Sequence, residues 1–328
     1  MMSLPQNSCF RFGVFLMLLF LVSCKGVDSK ELPKEGSTKN TGVQLVILGT
    51  AQDAGSPQIG CEKECCKTLF KDPDLSRNVV SLGLIDQTAH KTFLIEATPD
   101  IGRQLHLLNS FSRDSSPALP DAILLTHAHM GHYTGLLYLG KESVNAKNVP
   151  VLTMPKMAAY LTNNGPWGQL VADHNIDLIP LTADKPLPLS SAVSITPFLV
   201  PHRDEYSETA GFVIKGPNKK ALFIPDIDKW ERWERSISAL IATVDYAFID
   251  ATFFNAEEIN NRDISEIPHP FVIESMALFH TLPEKERAKI HFIHLNHTNP
   301  LFNKESEEYR QLLLNGYQVA AYGQVFEL

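Results

Sequence analysis

Three histidines fall within six residues of THAHMGHYTGL (126–136): His127, His129 and His132. Imidazole is the commonest side-chain ligand for zinc and related ions. A lone histidine is more often a surface or satisfied core residue, whereas three so close together predict a bound ion. His127 and His129 reach one ion if the chain turns there. His132 lies about one helical turn further on and faces the same ion or a second one.

Further candidates recur at the ends of apolar runs: Glu96, His202, Asp226, Asp250 and His294. Side chains carried at strand ends converge on one edge of a sheet, held by a rigid scaffold. Asp250, in FIDATF, is expected to orient a ligating histidine or cap a helix. Arg203 and Glu205, in PHRDEYSE, flank His202 and are candidates for substrate contact, against the plainer reading of solvated loop charges. His174 and His269 are expected to take no part, and Trp230 and Trp233 read as packing. The chemistry such a cluster supports is metal-assisted attack. Water on zinc loses its proton near neutral pH, its pKa falling from 15.7 to about 7. No nucleophile elbow and no glycine-rich phosphate loop competes with it.

The cysteines form a second group. Of five, Cys9 lies near the N-terminus and Cys24 ends the first apolar run, which leaves Cys61, Cys65 and Cys66 in GCEKECC. An odd number with two neighbours gives no tidy disulfide framework. A structural zinc with a histidine as fourth ligand is one reading. One disulfide plus a free thiol is the other.

The elements that must hold these residues alternate along the chain. Strands are predicted at 44–50, 79–86, 92–98, 121–127, 149–154, 193–202, 208–216, 220–226, 245–253 and 289–296. Helices are predicted at 99–111, 133–142, 156–163, 229–242, 275–289 and 304–315. This interleaving argues an α/β domain. The 328 residues suit one large domain or two small ones. A 44% hydrophobic, 20% charged composition is ordinary for a globular protein, and the net charge of -8 excludes a basic nucleic-acid binder. A small-molecule substrate is the expected partner. The oligomeric state is left open.

The first residues read differently. Arg11, an apolar run from Phe12 to Val22 and then Leu21-Val22-Ser23-Cys24 describe a secretory signal. The run is about 11 residues, too short for a span that needs about 20. LVSC resembles a bacterial lipobox, which implies a signal peptide over 1–23 and a lipid on Cys24. Residues 24–42 then read as a flexible polar tether and 43–328 as the working domain. Lys25 in place of a retention aspartate favours the outer membrane. The expectation is an exported, lipid-anchored protein, its domain in the periplasm or at the cell surface, touching the membrane only through the anchor.

THAHMGH resembles the HxHxDH signature of metallo-β-lactamase-fold hydrolases. Pro201-His202, LFIPD ending in Asp226, and IHLNH with His294 follow in that family's order. The resemblance runs from about residue 44 to the C-terminus. It implies an αββα sandwich of two mixed sheets flanked by helices. It also implies that His127, His129 and His202 hold one metal, that His132 and His294 hold a second, and that Asp226 bridges them. Asp226 and His132 are the expected catalytic residues. Glu96 stands where the superfamily often has an orienting aspartate. Gly131 departs from the pattern, standing where an aspartate is usual. Three protein ligands still suffice for a catalytic zinc, with reduced affinity, and His297 or Asp204 is expected to compensate. The ion is zinc by resemblance, one or two in the histidine site, with Fe2+ or Mn2+ suited by the same donors.

LGTAQDAGSPQIGC, ATPDIGRQL and HLNHTNP look like the pyrroloquinoline quinone biosynthesis protein B (PqqB) branch. That branch also has a cysteine cluster after its first strand, and a phosphonate-pathway cyclic phosphodiesterase of the superfamily holds a structural zinc with a comparable one. Here Lys63 replaces one cysteine of that pattern and Cys65 is additional. The branch is degenerate at its first histidines, which this chain keeps. The leading expectation is therefore an exported metal-dependent hydrolase acting on a small ester, lactone, amide or phosphodiester. An iron-dependent oxidative role in quinone cofactor biosynthesis is the alternative, and a non-catalytic metal-binding lipoprotein the third reading.

Overall fold

Six strands of the first sheet come from the N-terminal half: β1 (Val43–Gly49), β2 (Ser81–Asp86), β3 (Lys91–Ile95), β4 (Ala122–Leu124), β5 (Val149–Thr153) and β6 (Ile176–Pro180). The second sheet follows with β7 (Leu187–Pro188), β8 (Ser194–Leu199), β9 (Ala210–Lys215), β10 (Lys220–Ile224), β11 (Tyr246–Asp250), β12 (Ile290–Ile293) and β13 (Gln318–Val319). The last strand, β14 (Val325–Glu327), returns to the first sheet beside β1. The computed structural model describes residues 42–112, 119–259 and 267–328.

The two sheets repeat one plan. Their orders are β14-β1-β2-β3-β4-β5-β6 and β13-β12-β11-β10-β9-β8-β7. In the first, β1, β2 and β3 are antiparallel neighbours and β3 to β6 run parallel. In the second, β7 to β10 are antiparallel and β10 to β13 parallel.

Strand alternation explains the layering. On β1, Val43, Leu45 and Ile47 face a core shared with Phe212, Phe223 and Phe248 of the other sheet. Val46 and Leu48 point the opposite way, onto a core that includes Leu107, Met157 and Leu170 from helices. The second sheet is covered likewise, with Val272, Phe279 and Leu312 on its outer face. Strands buried on both faces read as unbroken apolar runs, and the result is the expected αββα sandwich.

Local differences have local causes. The predicted helix 133–142 is a single turn, Met130–Tyr133, followed by a 3-10 stretch, Thr134–Leu139. The segment 229–242 is broken into Trp230–Arg232 and Ile237–Ile241, so Trp230 and Trp233 do not share a regular helix. Trp230 does pack, buried with its Nε1 donating to Ser275 at 2.8 Å. The predicted 275–289 helix is two helices, Val272–Phe279 and Glu284–Arg287, divided before Pro283. The segments expected to be a signal peptide and a tether, with Cys24, lie outside the described residues, Gly42 excepted. No helix among the described residues is long and apolar enough to cross a membrane.

Candidate metal centre

After β4 the chain turns at Thr126, presents His127 and His129, and begins the Met130–Tyr133 turn that carries His132. This turn is clasped to the end of β3. Ala97 N donates to His132 O at 2.9 Å and Gly135 N to Ala97 O at 2.8 Å. The second sheet faces it with His202 just past β8, Asp226 just past β10, Asp250 ending β11 and His294 just past β12. Glu96 and His294 each directly follow a strand with positive φ, 74° and 67°. Non-glycine residues held there are strained, and such strain gathers at functional sites.

Four donors face one point: His127 Nε2, His129 Nδ1, His202 Nε2 and Asp226 Oδ2. His127 and His129 are 2.8 Å apart and His129 and His202 3.2 Å. Asp226 Oδ2 lies 3.2 Å from His127, 3.2 Å from His202 and 3.8 Å from His129. Ligands at about 2.0–2.1 Å from a tetrahedral ion sit about 3.3 Å from one another. The donors therefore fit a metal ion. A second set shares Asp226 Oδ2 and adds His132 Nε2, His294 Nε2 and Asp53 Oδ1. Asp53 is 2.8 Å from His132 and 3.2 Å from His294, and His132 is 3.9 Å from Asp226. One Asp226 oxygen thus belongs to both sets.

The far nitrogens of three of these rings have hydrogen-bond partners that fix ring orientation. His127 Nδ1 meets Thr126 Oγ1 at 2.9 Å and His202 Nδ1 meets Asp228 Oδ1 at 3.3 Å. His294 Nδ1 meets Thr252 Oγ1 at 2.9 Å, and Asp250 Oδ1 accepts from that hydroxyl at 2.7 Å. Glu96 Oε1 lies 3.5 Å from His132 Nδ1, fully buried with it. Asp250 and Glu96, the two expected orienting carboxylates, thus lie 3.7 Å from His294 Nδ1 and 3.5 Å from His132 Nδ1. Burial works against charge on Asp226, yet His202 and His269 hold its carboxyl well below the usual range. Burial is likewise outweighed at Asp53, where His132 and His294 hold the carboxyl well down. Both carboxylates are therefore anionic at neutral pH, as a cation requires.

Three residues of this centre escaped the sequence reading. Asp53 lies four residues past β1, beyond the strand-end rule that picked out Glu96 directly after β3. His269 was expected to take no part, yet its Nδ1 is 2.8 Å from Asp250 Oδ2 and 3.1 Å from Asp226 Oδ1. Asp228 sits two residues past Asp226. The expected compensation by His297 or Asp204 is corrected. Asp204 is exposed, and His297 lies with Cys61, Cys65 and Cys66 as a separate group. Those three cysteines are free thiols, so the disulfide reading does not hold. Cys65 and Cys66 sulfurs are 3.9 Å apart, close to the about 3.8 Å edge that bonds of about 2.3 Å to a tetrahedral zinc would give. Glu205 Oε2 lies 3.6 Å from His129 Nε2 at the exposed edge of the centre, and Arg203 beside it is exposed. His174 is exposed, away from the centre.

A family model described as the beta-lactamase superfamily domain matches residues 91–292. The chain belongs to that superfamily. It is 26% identical over 311 residues to coenzyme PQQ synthesis protein B of Pseudomonas putida, covering 87% of this chain and 99% of that relative. It is 24% identical over 302 residues to the protein of the same name from Xanthomonas axonopodis pv. citri, covering 85% and 97%. The crystal structure of zinc-bound PqqB from Methylobacterium extorquens superposes with a TM-score of 0.71 at 23% identity, over 87% of this chain and all of that one. The similarity is thus to the PqqB-like branch of the metallo-β-lactamase fold.

These relatives overturn the expectation of an exported hydrolase of esters, lactones, amides or phosphodiesters. Proteins named for coenzyme PQQ synthesis match along nearly their whole length, which favours the quinone-cofactor alternative. At the coarser level, superfamily membership and the donor geometry support a metal-dependent enzyme with a metal cofactor. They favour an enzyme over the non-catalytic reading.

Proposed function

We propose that this chain is an iron-dependent enzyme of the PqqB-like kind that performs an oxidative step in making a quinone cofactor. The observation that carries the reading is the end-to-end match with coenzyme PQQ synthesis protein B, in a chain whose own centre directs three imidazoles and a carboxylate at one point. A quinone is more oxidised than the phenol or catechol it is made from, so its synthesis needs an oxidant delivered to an aromatic ring. Ferrous iron held by these histidines and the carboxylate would supply oxygen activation for such a step.

The chain's residues would divide the work as follows. His127, His129 and His202 hold the ion, and Thr126 and Asp228 fix two of their rings. Asp226 keeps the negative charge that balances it. Substrate approaches from the side of His129, where Arg203, Glu205 and Tyr206 are exposed. Zinc is the ion proposed for Cys61, Cys65, Cys66 and His297, where it would brace the loop after β1. The test is oxygen uptake by the full chain loaded without air with Fe(II) or Zn(II), then given tyrosine-containing peptides. Uptake should need iron and peptide together and vanish in His127→Ala/His129→Ala. No uptake with iron, together with no rescue of a bacterium lacking coenzyme PQQ synthesis protein B, would overturn the proposal.

A further inference from the structure

The centre lacks the carboxylate that the HxHxDH resemblance implies at residue 131, yet the space beside Gly131 is filled. A Cβ built on Gly131 would fall 2.5 Å from Asp53 Cα, 2.9 Å from Asp53 Cβ and 2.8 Å from Asp53 Oδ1. Real side chains essentially never come so close, and the first of these atoms is backbone. Asp53 and a side chain at 131 therefore exclude one another. Asp53 Oδ1 stands 2.8 Å from His132 Nε2 and 3.2 Å from His294 Nε2. We infer that Asp53, entering from the loop after β1, replaces the missing residue-131 carboxylate as a ligand of the second metal position, and that Gly131 is the opening that admits it.

The loop is built to hold Asp53 there. Gln52 N donates to Leu295 O at 2.8 Å, and Leu295 N donates to Thr50 O at 2.8 Å. Ala51 also bridges Val79 and Leu295. Asp53 thus follows directly on a backbone clasp to the residue after His294. The same loop carries Cys61, Cys65 and Cys66, which gather with His297. The carboxylate has changed its address in the chain while keeping its address in space. The second position consequently has four protein donors, Asp53, His132, Asp226 and His294, rather than three.

This inference rests on the histidine cluster being a metal centre, but not on iron or oxygen chemistry. Its test reads binding alone. The full chain, stripped and titrated with zinc against a chromophoric chelator, is compared with Asp53→Asn and with the exchange Asp53→Gly/Gly131→Asp. Asp53→Asn keeps size and should lose about one zinc per chain, while the His127 set and the cysteine set stay filled. The exchange should regain it, because a carboxylate returns to the same space. Zinc content and affinity unchanged in Asp53→Asn would overturn the inference. So would an exchange variant that keeps the other zincs, and hence its fold, without regaining the lost one. If zinc behaves as expected and no iron-dependent oxidation is found, the proposed function fails and this assignment stands.

Discussion

His291, on β12, and His294, just past its end, show how differently two neighbouring histidines can behave. Three residues later, His294 meets acids and a hydroxyl that hold it in the centre. His291 instead points between the sheets, its ring 5.3 Å from that of Phe248 and 4.9 Å from that of Phe326. Nothing there offsets a charge, so burial pushes its pKa down from 6.5 to about 4. The folded state thus binds its proton less readily than the unfolded chain. Stability linked to His291 is fully present above pH 6.5 and is lost as pH falls through about 4. The shift corresponds to an effect on the order of 3 kcal/mol at most. His291→Phe should flatten the fall in urea midpoint between pH 6.5 and 4. A variant whose midpoint falls as steeply as wild type would refute this.

At the scale of elements, the turn that bears His132 depends on Gly135. A Cβ there would lie 2.1 Å from Thr98 O and 2.8 Å from Ala97 O, both backbone atoms. Those carbonyls belong to the segment that clasps the turn to β3. Gly135→Ala should therefore lower stability by about 1–3 kcal/mol and weaken binding at the His132 position. Gly102→Ala, on the helix Ile101–Phe111, meets nothing within 4 Å and serves as the control that should not. Thermal midpoints and zinc titration of both variants check the pair. The same scale shows why parts of the fold stayed hidden in the sequence. The long central strands are unbroken apolar runs and were found. β6 reads IDLIP with three exposed positions, and β7 and β13 have two residues each. Edge strands this short or polar carry too little period to be distinguished from loop.

Across the whole molecule, the centre ties one half of the chain to the other. His127, His129, His132 and Asp53 come from the first sheet, whereas His202, Asp226 and His294 come from the second. An ion bound between them favours only the folded arrangement. At a free concentration 100 times its dissociation constant it adds about 2.7 kcal/mol. Stripping metal from the full chain should lower the thermal midpoint by several degrees, roughly 2–4 °C per kcal/mol for a large domain. Adding metal back should restore it. A midpoint indifferent to chelator and to metal would contradict the metal assignment.

What the sequence determined by itself is what short spacing and strand periodicity encode. The cluster His127, His129, His132 is local, and the strand ends at Glu96, Asp226, Asp250 and His294 follow from apolar runs that stop at a polar residue. The sandwich and most residues of the clustered donor set follow from these, with the resemblance supplying their order. Tertiary structure alone decided which of several polar candidates share the donor cluster. Asp53 lies 79 residues from His132 and 241 from His294 along the chain, and no periodicity links them. His269 meets Asp226 and Asp250 only because its loop folds back onto the ends of β10 and β11. His297 lies three residues from His294 but joins the cysteines instead. The physical reason is common to all three: a ligand set is chosen by which atoms can share a volume, and that volume is defined only once both sheets and the β1 loop have packed around it.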